Sequence, residues 1–479
     1  MGDELKKALL SASVLVALVA AVAITTAING SADPTPTETS EVEPAQTSVE
    51  SICDKDPLVP PEWAEFETRA KQKSGCARPF RYVVDQVVGK PNSLLTQDST
   101  ARPFCGIKPN PNFMAGREFG VHLDPQYEIH VVGITDSKNP STSSPGIDYK
   151  KYFDFIKSGF ENMTDAPSDY QITFSDGYLE VVEDFSALEL GYSNRTEAAQ
   201  NKLAKQVINL IDPEIDFSKV DKLFIFVPPT ISKDVFEHSG TYSGNFRSNE
   251  GYVDGPFLGG TFEDYEHPDW TPHGPIGFMH EIFHLAGGVV DDHYGEWQPG
   301  SPEYREKGPA PGGTGEWGNM SGILMDWLAW DKYLAQMITD DQVRCANENQ
   351  ESIVWLRPST HDSTEDKLLL IPIGKTKAIA VESIRSSGFN FKVPSRYHGA
   401  LVYEIDTSLT DHGLGVKVLR PTYRSGPGWS PSRTAEFDFA LADATLKFGE
   451  KMSFEEFQIE VLESGEFGDV IRVVFDQAS

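Results

Sequence analysis

Residues 280–284 read His-Glu-Ile-Phe-His. On a helix, residues four apart lie on one face about one turn apart. His280 and His284 can therefore offer two neutral imidazole nitrogens to one Zn2+. Glu281, beside the first imidazole, is placed to act as general base: its carboxylate takes the proton of a water made acidic by the metal as that water attacks a peptide carbonyl. Each imidazole needs an acceptor on its other nitrogen to fix its tautomer, and the sequence does not name one. Asp291, Asp292 and His293 are the next residues of metal-binding type.

The surrounding residues carry a likeness. HEIFHLAGGVVDDHYGEW, followed by GEWGNMSGILMDWLAWDKYLAQMI over 315–338, resembles the M6 family of secreted bacterial peptidases, the immune-inhibitor-A type, which is metzincin-like. The resemblance implies a turn built on Trp317, Met320, Ser321 and Gly322, with Met320 as an apolar floor beneath the metal. It matches Leu328-Ala329-Trp330-Asp331-Lys332 to an aromatic helix. It places a third ligand six residues after His284, after a glycine that Gly287 supplies, and that position is Val290. One extra residue at Gly288 brings Asp291 or Asp292 into place; a carboxylate is an acceptable zinc ligand, and either is preferred to His293. The likeness runs over 125–475 and is specific over 280–338.

Other candidates stand beside this set. Asp254, Glu263, Asp264, Glu266 and Asp269 precede the histidines; such a loop suits a structural Ca2+, or is simply a solvated acidic loop. Tyr294 and Tyr265 are placed either to donate to an oxyanion or to pack. His267 and His273 are read as surface or core residues. No phosphate-binding glycine loop, GxSxG elbow or CxxC pair is present.

These residues need elements to hold them. IGFMHEIFHLAGG (276–288) reads as a helix closed by glycines. Before it, YEIHVVGIT (127–135) reads as a strand, and YKKYFDFIKSGFENM (149–163) as an amphipathic helix. YQITFSDGYLEVVE (170–183) reads as two strands around a Ser-Asp-Gly turn. TEAAQNKLAKQVINLIDP (196–213) is a second amphipathic helix, and KLFIFVPP (222–229) a buried strand. Beyond residue 346 come KLLLIPI, AIAVESI, GALVYEID, FQIEVLES and DVIRVVF, short strands bounded by turn residues. The expected fold is an α/β (α+β) metzincin-like catalytic domain, 113–345, with an appended C-terminal β-sandwich, 346–479.

The whole chain has 479 residues and a net charge of −31. That balance argues against nucleic acid or an anionic membrane surface as partner. Residues 8–28 are apolar after Lys6 and Lys7 and read as a signal peptide cut after Ala32, or an uncut signal anchor. Residues 33–50 are a Pro/Thr/Glu-rich linker, and 51–112 an N-terminal extension or prosegment containing the possible helix WAEFETRAKQK. Cys53, Cys76, Cys105 and Cys345 allow three pairings; Cys53 with Cys76 and Cys105 with Cys345 is the expected one. The chain is thus expected to be a secreted monomeric zinc endopeptidase acting on proteins or peptides. A zinc-retaining adhesion protein with a degenerate site is the alternative, and a zymogen blocked by 51–112 a third reading.

Overall fold

A computed structural model describes residues 90–96, 103–108, 127–165, 170–181, 184–191, 194, 196–232, 234–236, 239–241, 246–253, 256–259, 279, 280, 282, 283, 313–315, 317–320, 326–346, 350–390, 393, 395–409, 415–424, 441 and 443–476. The protein is mixed α/β, rich in sheet and with few helices among these residues. The expected signal segment, the helix in 63–73 and the Cys53–Cys76 pair lie outside them. None of the described helices is long and apolar enough to cross a membrane.

The first sheet begins with β1 (Glu128–Thr135), whose partner β2 (Gln171–Glu180) runs parallel to it. Between them lie a short helix, α1 (Pro145–Asp148), and α2 (Lys150–Met163). The residues read as two strands around Ser-Asp-Gly form one strand instead. Its register against β1 jumps from Phe174 to Tyr178, so Ser175-Asp176-Gly177 bulges out of the ladder. Ser175 Oγ accepts the amide of Gly133 opposite at 3.0 Å and donates to Gly177 O. Gly133 permits this: a Cβ there would collide with Pro145 and Tyr178. Pairing with a parallel neighbour along the whole segment overrides the local turn signal.

The helix α3 (Glu197–Ile211) starts where Thr196 caps Ala199 N at 3.2 Å, a cap worth about 1 kcal/mol. Its Leu203, Val207, Ile208 and Ile211 lie buried at helical spacing. Next come β3 (Lys222–Phe226), buried along its length, β4 (Ser239–Thr241), β5 (Phe246–Arg247), β6 (Tyr252–Val253) and β7 (Phe257–Gly259). The sheet order is β2-β1-β3-β7-β4, with β1, β2, β3 and β7 parallel and β4 antiparallel at the edge; β5 and β6 pair separately. Both faces are covered, which is why β3 reads as a continuous apolar run. One face packs on α3 in a core with Val132, Ile134, Leu223 and Ile225.

A short buried helix, α4 (Ala329–Leu334), leads into β8 (Val343–Cys345) and β9 (Ser352–Leu356). Six more strands are β10 (Leu368–Pro372), β11 (Lys377–Ile384), β12 (Gly399–Asp406), β13 (Val416–Val418), β14 (Lys451–Ser453) and β15 (Phe457–Gly465), and β16 (Gly468–Phe475) ends the set. They form two sheets, β13-β12-β11-β10-β8 and β14-β15-β16-β9. Alternate residues of both sheets, among them Leu369, Val381, Val402, Ile459 and Ile471, share one apolar core. The opposite face of the first of these sheets, through Leu370, Ala380, Leu401 and Tyr403, joins a larger core that also holds Phe153, Met279, Phe283, Met320 and Trp330. The β part is therefore packed directly against the elements that carry the candidate site.

Cys105 and Cys345 form the expected disulfide, 240 residues apart in sequence. The described pieces of the N-terminal extension lie on the β part. Asn92 and Ser93 donate their amides to Glu463, Thr96 N bonds Ile353 O at 2.9 Å, and Lys108 N bonds Lys375 O at 2.7 Å.

Candidate metal centre

Met279, His280 and Ile282 are helical, as their spacing predicts, and Met279, Ile282 and Phe283 are fully buried. Phe283 stacks on Trp327 with ring centroids 4.8 Å apart. This apolar footing holds the helix on the core; each such side chain contributes about 1.5–3 kcal/mol by burial. His280 is 8% exposed. Its Nδ1 lies 2.9 Å from the carbonyl oxygen of Asn319. A carbonyl only accepts, so Nδ1 carries a proton; in the neutral ring the lone pair is then on Nε2. That is the tautomer a metal-binding imidazole needs, with the outer acceptor that such ligands use.

Asn319 sits in the turn that the sequence singled out. Gly318 adopts φ +84, a left-handed conformation that suits glycine, and a Cβ there would press on Leu328. Asn319 N closes the turn on Asp326 O at 3.0 Å. Trp317 is buried and its Nε1 donates to Leu441 O at 2.8 Å. Met320 is also fully buried, and the indole N–H of Trp327 points at its sulfur at 3.3 Å. Met320 thus lies in the apolar floor next to His280's acceptor. Both side-chain amide atoms of Asn319 are buried without a hydrogen-bond partner, an open polar demand one residue from that floor.

The wall behind the turn is α4, and side chains from the β part cap it. Leu328 supplies no capping side chain. Instead Glu382 Oε1 accepts Ala329 N at 3.0 Å, and the hydroxyl of Tyr403 accepts Trp330 N at 3.2 Å. Lys332 Nζ is 2.6 Å from Asp326 Oδ2, both side chains buried, and Asp326 N is held by Asn390 Oδ1 at 3.0 Å. Burial pushes the Glu382 carboxyl up to about 7, against the Ala329 amide and Tyr403 hydroxyl that favour its charged form. Burial, then the proximity of Glu382, pushes the Asp331 carboxyl well above its ordinary range.

Of the residues named from sequence, His280, Trp317 and Met320 are brought together, and Leu328–Lys332 form the cap and first turns of α4. Glu281, His284, Asp291, Asp292, His293, Tyr265, Tyr294, His267, His273, Ser321, Gly322 and the acidic cluster at 254–269 lie outside the described residues. Among the described residues no group of three or more His, Cys, Asp or Glu could hold a metal. Sequence reasoning missed Asn319, Asp326, Glu382 and Tyr403. The signal for one of them was present: an acidic residue inside an apolar run, Glu382 within AIAVESI. No protein-family model matches the chain, and no curated protein matches it.

Proposed function

We propose that this chain is a secreted zinc-dependent endopeptidase, with a metzincin-like catalytic domain followed by a β-sandwich. The observation that carries the reading is the His280 Nδ1 bond to Asn319 O beside the buried Met320, the outer acceptor that a metal-binding imidazole uses. His280 and His284, with Asp291 or Asp292, would hold the ion. Zn2+, when bound, supplies Lewis acidity that makes water nucleophilic near neutral pH and polarises a peptide carbonyl. Glu281 takes up a proton on its carboxylate during attack and returns it to the leaving amine nitrogen. Asn319 holds the imidazole plane, and the Met320–Trp327 floor keeps water from the helix's lower face. The mixed sheet, β2-β1-β3-β7-β4, and the core shared by the two later sheets support the division into catalytic and β-sandwich parts.

The test is Glu281→Gln. We expect peptide hydrolysis to fall by at least about 100-fold while one zinc per chain stays bound. Wild-type turnover by this variant would overturn the mechanism. Stoichiometric zinc without cleavage by the folded wild-type chain would instead favour the adhesion-protein reading.

A further inference from the structure

We propose that Glu382, on β11 of the C-terminal half, is a positioning residue for the candidate zinc site and performs that role in its protonated form. The proposal rests on the peptidase reading. Its geometry is a continuous relay. Glu382 Oε1 holds Ala329 N at the start of α4, and Tyr403, on the neighbouring strand β12, holds Trp330 N. The same short segment carries Asp326, whose carbonyl fixes Asn319 N, and Asn319 O fixes His280 Nδ1. Two side chains of the β part thus set where the imidazole's acceptor stands.

Charge makes the relay sensitive to protons. The groups facing Glu382 are Lys332 and Asp331 from α4, Asp326 from the loop before it, and Tyr403 from β12. All are buried, and among the described residues one ammonium, Lys332, lies with three carboxyls. Lys332 Nζ lies on Asp326, and Asp331 Oδ2 has no hydrogen-bond partner. Placing three carboxylates around one cation in a dry core is costly, and a proton on Glu382 and one on Asp331 relieve it. Because the folded chain holds Glu382's proton more tightly than an unfolded one, this stabilisation is complete below the ordinary carboxylate range. It is lost as pH rises through about 7.

The experiment compares full-length wild type with Glu382→Gln, which keeps a neutral side chain of the same shape. Urea unfolding is followed at pH 5, 6, 7 and 8, and zinc retention against a competing chelator at pH 6 and 8. We expect the wild type to lose stability across this range and the variant to lose less. The ratio of zinc retained by the variant to that retained by wild type should rise about tenfold from pH 6 to 8, the equivalent of one pKa unit. Parallel stability profiles and a constant zinc ratio would mean a purely structural role and overturn the proposal. Should Glu382→Gln fail to fold, Tyr403→Phe replaces it: removing a donor that favours the charged form should move the wild-type decline to higher pH, and an unmoved decline overturns the proposal. A wild type that binds no zinc would sink the peptidase reading, while the urea profiles would still decide whether Glu382 titrates.

Discussion

Two buried charge clusters of this protein are built on opposite plans. In the β part, Arg385 meets Asp469 with two nitrogens, at 3.0 and 2.9 Å. Its remaining donors go to the carbonyls of Gly465, Ile384 and Gly468, and Ser383 Oγ donates to Asp469 Oδ2 at 2.6 Å. This cation and anion face each other with the hydrogen bonds around them made, and Lys447 and His398 lie close enough to feel both charges. Beneath the candidate metal centre, Lys332 meets Asp326 and feels Glu382, and Asp331 lies beside Glu382. In the first arrangement the paired ions are matched, and burial with neighbouring charge holds Lys447 down to about 8 and His398 down to about 4, one on either side of neutrality. The second is balanced by protons, and it lies against the segment that positions His280.

The sharpest way to break the contrast is Asp469→Ala. It leaves Arg385 buried with no counter-charge, and a guanidinium cannot shed its proton. The expected loss is about 3–5 kcal/mol, equal at pH 5 and pH 7, above the range of His398 and below that of Lys447, read from urea midpoints. Lys332→Met should cost less, about 2–4 kcal/mol at pH 7, because a carboxyl left without its ammonium can take up a proton. That loss should shrink as the medium is acidified, whereas a constant loss would show the two clusters to be alike. Asp331→Asn is the mildest change. It keeps the shape and removes an ionisable group that burial already holds protonated, so the effect is within about 1 kcal/mol at pH 5. Relative to wild type the variant should gain stability toward pH 8, and calorimetric midpoints at the two pH values test this.

The same contrast explains what could be read from the residues alone. β-branched runs such as GALVYEID fall at β12 with their bounds intact, because period and turn residues are local properties. The helices at 150–163 and 197–211 follow from apolar spacing and, for the second, from Thr196. The bulge in β2 was not legible, since it depends on Gly133 of a strand forty residues away. Likewise, the histidine and methionine of the candidate site stand out by type and spacing, but the acceptor of His280 is a backbone carbonyl that any residue at 319 would carry. Glu382 and Tyr403 reach α4 only because β11 and β12 pair and turn one face toward it. A support supplied by tertiary packing leaves no periodic trace in the sequence.

The Cys105–Cys345 bond spans a 240-residue interval that contains β1, all of the first sheet and His280. A single cut of the backbone anywhere between those cysteines would therefore release no fragment: the two pieces would migrate as one species until a reductant was added. On the proposed peptidase reading, self-inflicted nicks would accumulate as a two-piece form still held in register by the sheets.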